Sequence, residues 1–188
     1  MTSRHDTTRT LWFYRGLSLA ATAVIVHLLT VWAAPRLIMQ VLMDGPRART
    51  MNMHNRAAFP APVNALERTV VMPSPDLLYS VCVFDTSDGP VRISANPGLK
   101  TYWSIALYAA DSDNFFVIND RTALGQPVNL WLVSQGANRD GPTVPEGAQV
   151  VVSPSTKGFL LMRVLTGNYQ AEKAALESAR RTLVCERG

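Results

Sequence analysis

Cysteine is scarce in this chain, with only Cys82 and Cys185 among 188 residues, and no histidine follows His54. Without a histidine in the body, a Ser-His-Asp or Cys-His apparatus has no base. The cysteines stand roughly a hundred residues apart and no His/Cys cluster has ligand spacing, so no metal site is assigned. A Gly-rich phosphate loop is missing too, so no cofactor is indicated. Internal repeats and low-complexity tracts are absent. Positive charge is also lacking where it would matter for nucleic acid. Residues 1–56 hold seven Arg against two Asp, a balance of +5, whereas residues 57–188 hold eleven Lys or Arg against twelve Asp or Glu, a balance of −1. The basic character belongs to the leader, and only Arg180-Arg181 cluster in the body, so no nucleic-acid partner is expected.

What the leader does have is an apolar run. Gly16 to Ala34, GLSLAATAVIVHLLTVWAA, is nineteen residues without a formal charge, long enough for a helix to cross roughly 30 Å of hydrocarbon. Arg15 and Arg36 bracket it, and Trp12, Tyr14 and Trp32 stand where interfacial aromatics would lie. His27 is its one ionisable group, at a modest cost. A cleavable signal peptide ending at Val31-Trp32-Ala33 is the alternative. Leu37-Ile38-Met39 and Val41-Leu42-Met43 carry the apolar character past Pro35, which favours a retained anchor. Positive charge does not fix the orientation, because Arg4, Arg9 and Arg15 face Arg36, Arg47 and Arg49 across the span. The chain therefore divides into a tail (1–15), a transmembrane anchor (16–34), a spacer (35–66) and an exported β domain (67–188). The spacer is Arg-rich and ends in Phe59-Pro60-Ala61-Pro62, beginning as a helical extension and ending as an extended lead-in.

In the body, period-2 alternation predicts strands. Leu77 to Asp85 is apolar on both faces, which suggests a central strand covered on each side. Val91 to Ala95 is expected to pair back onto it across Asp88-Gly89-Pro90. Tyr102–Ala109, Phe115–Asn119, Val128–Val133, Gln149–Ser153 and Gly158–Leu165 bring the count to seven. Turn signals separate them at Pro97-Gly98, Asp111-Ser112-Asp113, Gly125-Gln126-Pro127, Asp140-Gly141-Pro142 and Glu146-Gly147. Short strands at this spacing predict a mainly β fold, a β-sandwich or jelly-roll-like domain. A C-terminal helix capped by Asn168 follows over Ala171 to Leu183, with Leu176, Ala179 and Leu183 in one stripe. It would return Cys185 to the core. From spacing alone the two cysteines read equally as a staple or as unrelated buried thiols.

Several of these strands carry motifs that resemble the domain-of-unknown-function 1254 family. Pro75-Asp76-Leu77-Leu78-Tyr79-Ser80 with Phe84-Asp85 and Gly89-Pro90-Val91 is similar to its core strand pair. Tyr102-Trp103-Ser104 is similar to its Tyr-Trp-Ser strand, and Asn119-Asp120-Arg121-Thr122 to its Asn-Asp-Arg-Thr segment. The resemblance runs from about Val70 to the C-terminus, although Ser74-Pro75 stands where longer relatives have an Asn pair. The subgroup it resembles is short, membrane-anchored and of alphaproteobacterial type. That resemblance implies a Cys82–Cys185 disulfide, an N-terminus in the cytoplasm and a periplasmic body tethered to the inner membrane. It also implies a companion envelope protein of a related unknown-function family.

Polar residues in these motifs define a candidate cleft: Asp76, Tyr79, Tyr102, Asn119, Asp120 and Arg121. Asp76 or Asp120 would act as general base and Arg121 would hold an anion. The same residues read more simply as fold-holding groups, with Asp120 paired to Arg121 and Asp76 capping the turn after Pro75. Asp111, Asp113 and Asn114 have the composition of a weak calcium loop, but more simply of a turn. No residue is assigned as catalytic. A binding module is the favoured reading; an enzyme or a carrier of a small ligand using that cleft is the alternative.

Overall fold

The computed structural model describes residues 3–64, 66, 73–135 and 144–188, with side chains from Arg9 onward. The turn expected at Asp140-Gly141-Pro142 and the first residues of the expected β domain, 67–72, lie outside the described residues. The chain divides into two compact units, Met1–Ile38 and Met39–Gly188.

The first unit is helical. It is the greater part of α1 (Ser3–Asp44), which continues through Pro35 into the second unit. Its apolar side chains face outward, Leu19, Leu28 and Val31 among them. It is the one helix among the described residues long and apolar enough to cross a membrane. The guanidinium of Arg15 lies 5.5 Å from the Trp12 ring, and that of Arg36 lies 4.7 Å from the Trp32 ring. Both are cation–π pairs of the kind that sit at a membrane interface.

The second unit is a sandwich of two four-stranded sheets. Sheet A has the order β1-β7-β3-β4, formed by Leu77–Asp85, Lys157–Leu165, Trp103–Ala109 and Asn114–Asn119. Sheet B has the order β6-β5-β2-β8, formed by Gln149–Ser153, Val128–Ser134, Val91–Ala95 and Val184–Arg187. Alternation along each strand sends one set of side chains inward. Leu78, Cys82, Phe84, Ile105, Leu107, Leu160, Met162 and Val164 from sheet A meet Val91, Ile93, Leu130 and Leu132 from sheet B in one buried cluster. Gly158 is required here, because a Cβ would overlap the Phe84 ring and the Tyr108 carbonyl.

Three sequence expectations are corrected. First, β1 and β2 are not a hairpin: β1 pairs with β7, while β2 pairs with β5 and β8. The Asp88-Gly89-Pro90 turn, with Gly89 at a φ of 138°, carries the chain from one sheet to the other. Second, there are eight described strands, and Cys185 lies on the eighth, where it faces Ile93. The disulfide joins Cys82 of sheet A to Cys185 of sheet B, with both side chains buried. Third, much of the stretch read as a spacer is folded. Met39 and Met43 of α1, Ala48 of α2 (Pro46–Thr50), Met53 and Ala58 are all buried. They cover Val81, Val83 and Phe159 on the outer face of sheet A. The same segment closes the free edge of β1. Ala58 and Val81 exchange two backbone hydrogen bonds, at 2.8 and 2.9 Å, and Val83 N–H donates to the Met53 carbonyl at 2.9 Å. So β1 is covered on both faces, as its composition implied, yet it is an end strand. Gly45 opens this strap, since a Cβ there would overlap the Val41 carbonyl.

The C-terminal helix α4 (Tyr169–Arg180) is capped by Asn168, whose Oδ1 accepts from the Ala171 N–H at 3.3 Å. It lends Leu176 to the core between the sheets. Arg180, which clusters with Arg181 in the sequence, has a side chain only 3% exposed. It donates to both Glu177 carboxylate oxygens, at 3.0 and 2.8 Å, and to the carbonyls of Pro60 and Tyr79 at 2.9 Å each. One side chain thus ties the lead-in, β1 and α4 together.

Candidate functional site

The register of sheet A decides which candidate residues meet. Tyr79 faces Arg163 across β1–β7, Arg163 faces Ser104 across β7–β3, and Ser104 faces Asn119 across β3–β4. Directly opposed residues point to the same side of a sheet. The inward set on β1, β3 and β7 is Leu78, Trp103 and Val164 with their alternates, so Tyr79, Arg163, Ser104 and Asn119 form a polar row on the outer face. Val81 and Leu161, one step along the strands, touch the cluster under the Met39–Ala58 strap. Beyond the row Tyr102 is 40% and Leu165 39% exposed, and Val117 of β4 is 48% exposed.

Each member has a local reason for its position. The Tyr79 hydroxyl accepts from the Ser74 N–H at 2.9 Å and so fixes the entry to β1. Asn119 ends β4 and caps the short helix α3 (Asp120–Ala123), its Oδ1 accepting from the N–H groups of Arg121 and Thr122 at 3.1 and 3.0 Å. Thr122 completes a capping box by accepting from the Asn119 N–H at 2.9 Å. Ser104 is fully buried, yet among the described residues its Oγ has no hydrogen-bond partner, and the Arg163 Nε is likewise buried and without one. Unmet buried polar atoms are rare in folded proteins and call for a reason.

The six candidate residues therefore separate. Tyr79 and Asn119 share the row, and Tyr102 precedes β3 on the same alternation, at its exposed margin. Asp76 is exposed; its carbonyl accepts from the Thr166 N–H at 2.9 Å and hydroxyl at 3.0 Å, while Ser74 rather than Asp76 provides the side-chain cap of that turn. Arg121 is exposed, and the ion pairs among the described residues do not include one with Asp120. Asp120 has a buried, unpartnered Oδ1. Sequence reading missed Arg163 and Ser104. The visible signal was a lone arginine between the apolar Leu161 and Leu165 on the outward set of β7.

Elsewhere the titratable groups have structural partners. Burial raises the Glu177 carboxyl, but the hydrogen bond and charge of Arg180, the Tyr169 hydroxyl and Arg181 outweigh it and leave it below its ordinary value. Asp85 is also held low: burial pushes it up, and Ser87 and Lys157 bring it down further. An open surface depression of about 420 Å³ beside α4 is lined by Gln170, Ala171, Lys173, Ala174 and Glu177 and includes none of the six. Asp111 and Asp113 form a turn in which the Asp113 N–H donates to the Asp111 carboxylate at 3.3 Å. Among the described residues no three His, Cys, Asp or Glu side chains gather as a metal site.

Comparison with known proteins gives kinship without chemistry. No curated protein matches the chain. The crystal structure of the VPA0106 protein from Vibrio parahaemolyticus is similar, with a TM-score of 0.61 at 16% identity over 82% of this chain and 35% of that one. An uncharacterised protein from Burkholderia cenocepacia has a TM-score of 0.42 at 15% identity over 63% of this chain and 33% of that one. The chain thus spans about a third of the length of these solved proteins. The family model described as a protein of unknown function, DUF1254, matches residues 51–187, and the chain belongs to that family.

Proposed function

We propose that this protein is a single-pass envelope protein of the short, membrane-anchored DUF1254 subgroup, and that its β unit is a binding module. In this reading residues 16–34 lodge in the bacterial inner membrane, residues 1–15 stay in the cytoplasm and the β domain stands in the periplasm. The support is a solvent-facing apolar helix followed by a buried disulfide that clamps two sheets, a bond that persists in oxidising compartments.

The observation that carries the binding role is the half-covered outer face of sheet A. The strap from Met39 to Ala58 covers the β1 end, while β4 pairs only with β3 among the described strands and exposes Val117. An open apolar edge of this kind invites pairing with another chain. The partner proposed is a companion envelope protein of a related unknown-function family. It would supply a surface in trans; the Vibrio protein, of which this chain covers 35%, is long enough to carry such a surface within one chain.

The test is photo-crosslinking from an unnatural residue at Val117 in the full chain, in membranes, with Val26 as the lipid-facing control. One discrete adduct from Val117 supports a docked partner; no adduct beyond that of the control removes the reading. Thiol labelling tests the compartment separately. If Cys82 and Cys185 both react in untreated, denatured protein, the exported orientation fails. A carrier reading is favoured by one separate observation, the unpartnered atoms of Ser104 and Arg163.

A further inference from the structure

The Arg163–Ser104 pair carries donors without acceptors. Ser104 has no exposed surface and an Oγ with no partner, and the Arg163 Nε is buried and unpartnered. The ion pairs among the described residues leave Arg163 without a carboxylate. Burying part of a guanidinium without its counter-charge is costly, and so is burying a hydroxyl without a partner. Both costs fall on adjacent strands at directly opposed positions. Asn119, next in the row, spends its Oδ1 on capping α3 and retains its amide NH₂ as a further donor.

We propose that this row is a binding site for a small monocarboxylate with an apolar tail. The Arg163 fork would take the planar carboxylate, and Ser104 and Asn119 would donate to its oxygens. A guanidinium matches a carboxylate in two parallel hydrogen bonds, and one positive charge with neutral donors suits a monoanion better than a phosphate. Tyr102 and Leu165, 40% and 39% exposed, give an apolar margin for the tail, and Tyr79 bounds the row at β1. Asp120, immediately after Asn119, makes no ion pair with Arg121 or Arg163 among the described residues. The row shares the outer face of sheet A with the proposed docking edge through Asn119 of β4, and the response of the full chain alone to a small molecule tests it separately.

The experiment uses the full chain in nanodiscs, with butyrate as probe and butyramide, phosphate and sodium chloride as controls at matched ionic strength. Thermal unfolding and the Arg Nε–H resonance of Arg163 are the two readouts. Butyrate is expected to raise the melting midpoint in a saturable way and to shift that resonance, while butyramide and chloride do neither. Arg163→Gln abolishes the response, Arg163→Lys weakens it about tenfold or more through loss of the fork, and Ser104→Ala weakens it several-fold. Equal responses to butyrate and butyramide, or a butyrate response retained in Arg163→Gln, overturn the site. An equal response to phosphate overturns the carboxylate class. Should Arg163→Gln fail to fold, the Arg163→Lys titration and the resonance of the unmodified chain still decide.

Discussion

Replacing Arg180 by methionine tests whether one buried cation holds the lead-in, the first strand and the last helix together. The side chain is 3% exposed and makes a forked pair with Glu177, itself 19% exposed, with two further bonds to the Pro60 and Tyr79 carbonyls. Methionine keeps the stem and most of the volume but removes every donor. Glu177 is then left partly buried without its counter-charge, and two carbonyls lose their partners. Breaking one side of a buried pair typically costs about 3–5 kcal/mol. At roughly 2–4 °C per kcal/mol for a chain of this length, the melting midpoint should fall by about 6–20 °C. Circular dichroism of the full chain in micelles reads it. The partner variant Glu177→Gln and the double variant complete a cycle, and a coupling above about 1 kcal/mol is expected between contacting groups. A loss below about 1 kcal/mol in Arg180→Met, or a coupling near zero, would mean that water or a neighbour replaces the guanidinium and that the node is not a tie.

The same carboxylate sets an acid limit. Because the folded values of Glu177 and Asp85 are depressed, the stability they confer is present above their ordinary values of 4.5 and 3.8 and is lost as pH falls through the folded ones. Urea midpoints should therefore stay level from neutral pH to about 5 and fall below about 4, with a smaller acid decline in Glu177→Gln; a midpoint already declining between pH 7 and 5 would contradict this. Reducing Cys82–Cys185 removes a link spanning 103 residues, worth up to about 4–5 kcal/mol on the chain-entropy account. Denaturant midpoints with and without reductant measure it, and a midpoint indifferent to reductant would argue against a clamp. Gly158→Ala drives a methyl into the Phe84 ring and the Tyr108 carbonyl and should destabilise by about 1–3 kcal/mol or more, visible as a lower melting midpoint. Ala48→Asp places a charge at a fully buried position of the strap, against sheet A. A cost of about 3 kcal/mol or more is expected, accompanied by faster amide exchange at Val81 and Val83; unchanged exchange would show that the strap does not hold β1.

How much of this was legible in the chain varies with the range of the interaction. Strand positions were readable, because alternation is a local property: Leu77–Asp85 and Val91–Ala95 coincide with β1 and β2. Their partners were not. Asp88-Gly89-Pro90 says that the chain turns, but a turn to the facing sheet and a turn within one sheet use the same residues. Cys185 looked like a tail residue because β8 is only four residues long and gains its order by pairing with β2. The strap was hidden for another reason. Met39, Met43 and Met53 are flexible, non-specific fillers, and arginines and prolines between them read as linker until Val81, Val83 and Phe159 are there to be covered.

The candidate site follows the same logic. Tyr79 and Asn119 were visible as motif residues, and Asn119 acts as a local cap, so its motif role is at least partly architectural. What joins the two is Arg163, which no local pattern near either residue announces; only the register Tyr79–Arg163–Ser104–Asn119 puts them in line. An arginine that merely stabilised this fold would be expected to resemble Arg180, with each of its three nitrogens bonded to a carboxylate or carbonyl. The same sheet thus offers both cases. Tyr79 gives its carbonyl to the satisfied arginine and its side chain to the row of the unsatisfied one. That contrast, within one strand, is why the outer row of sheet A and not the α4 node is the place to look for a ligand.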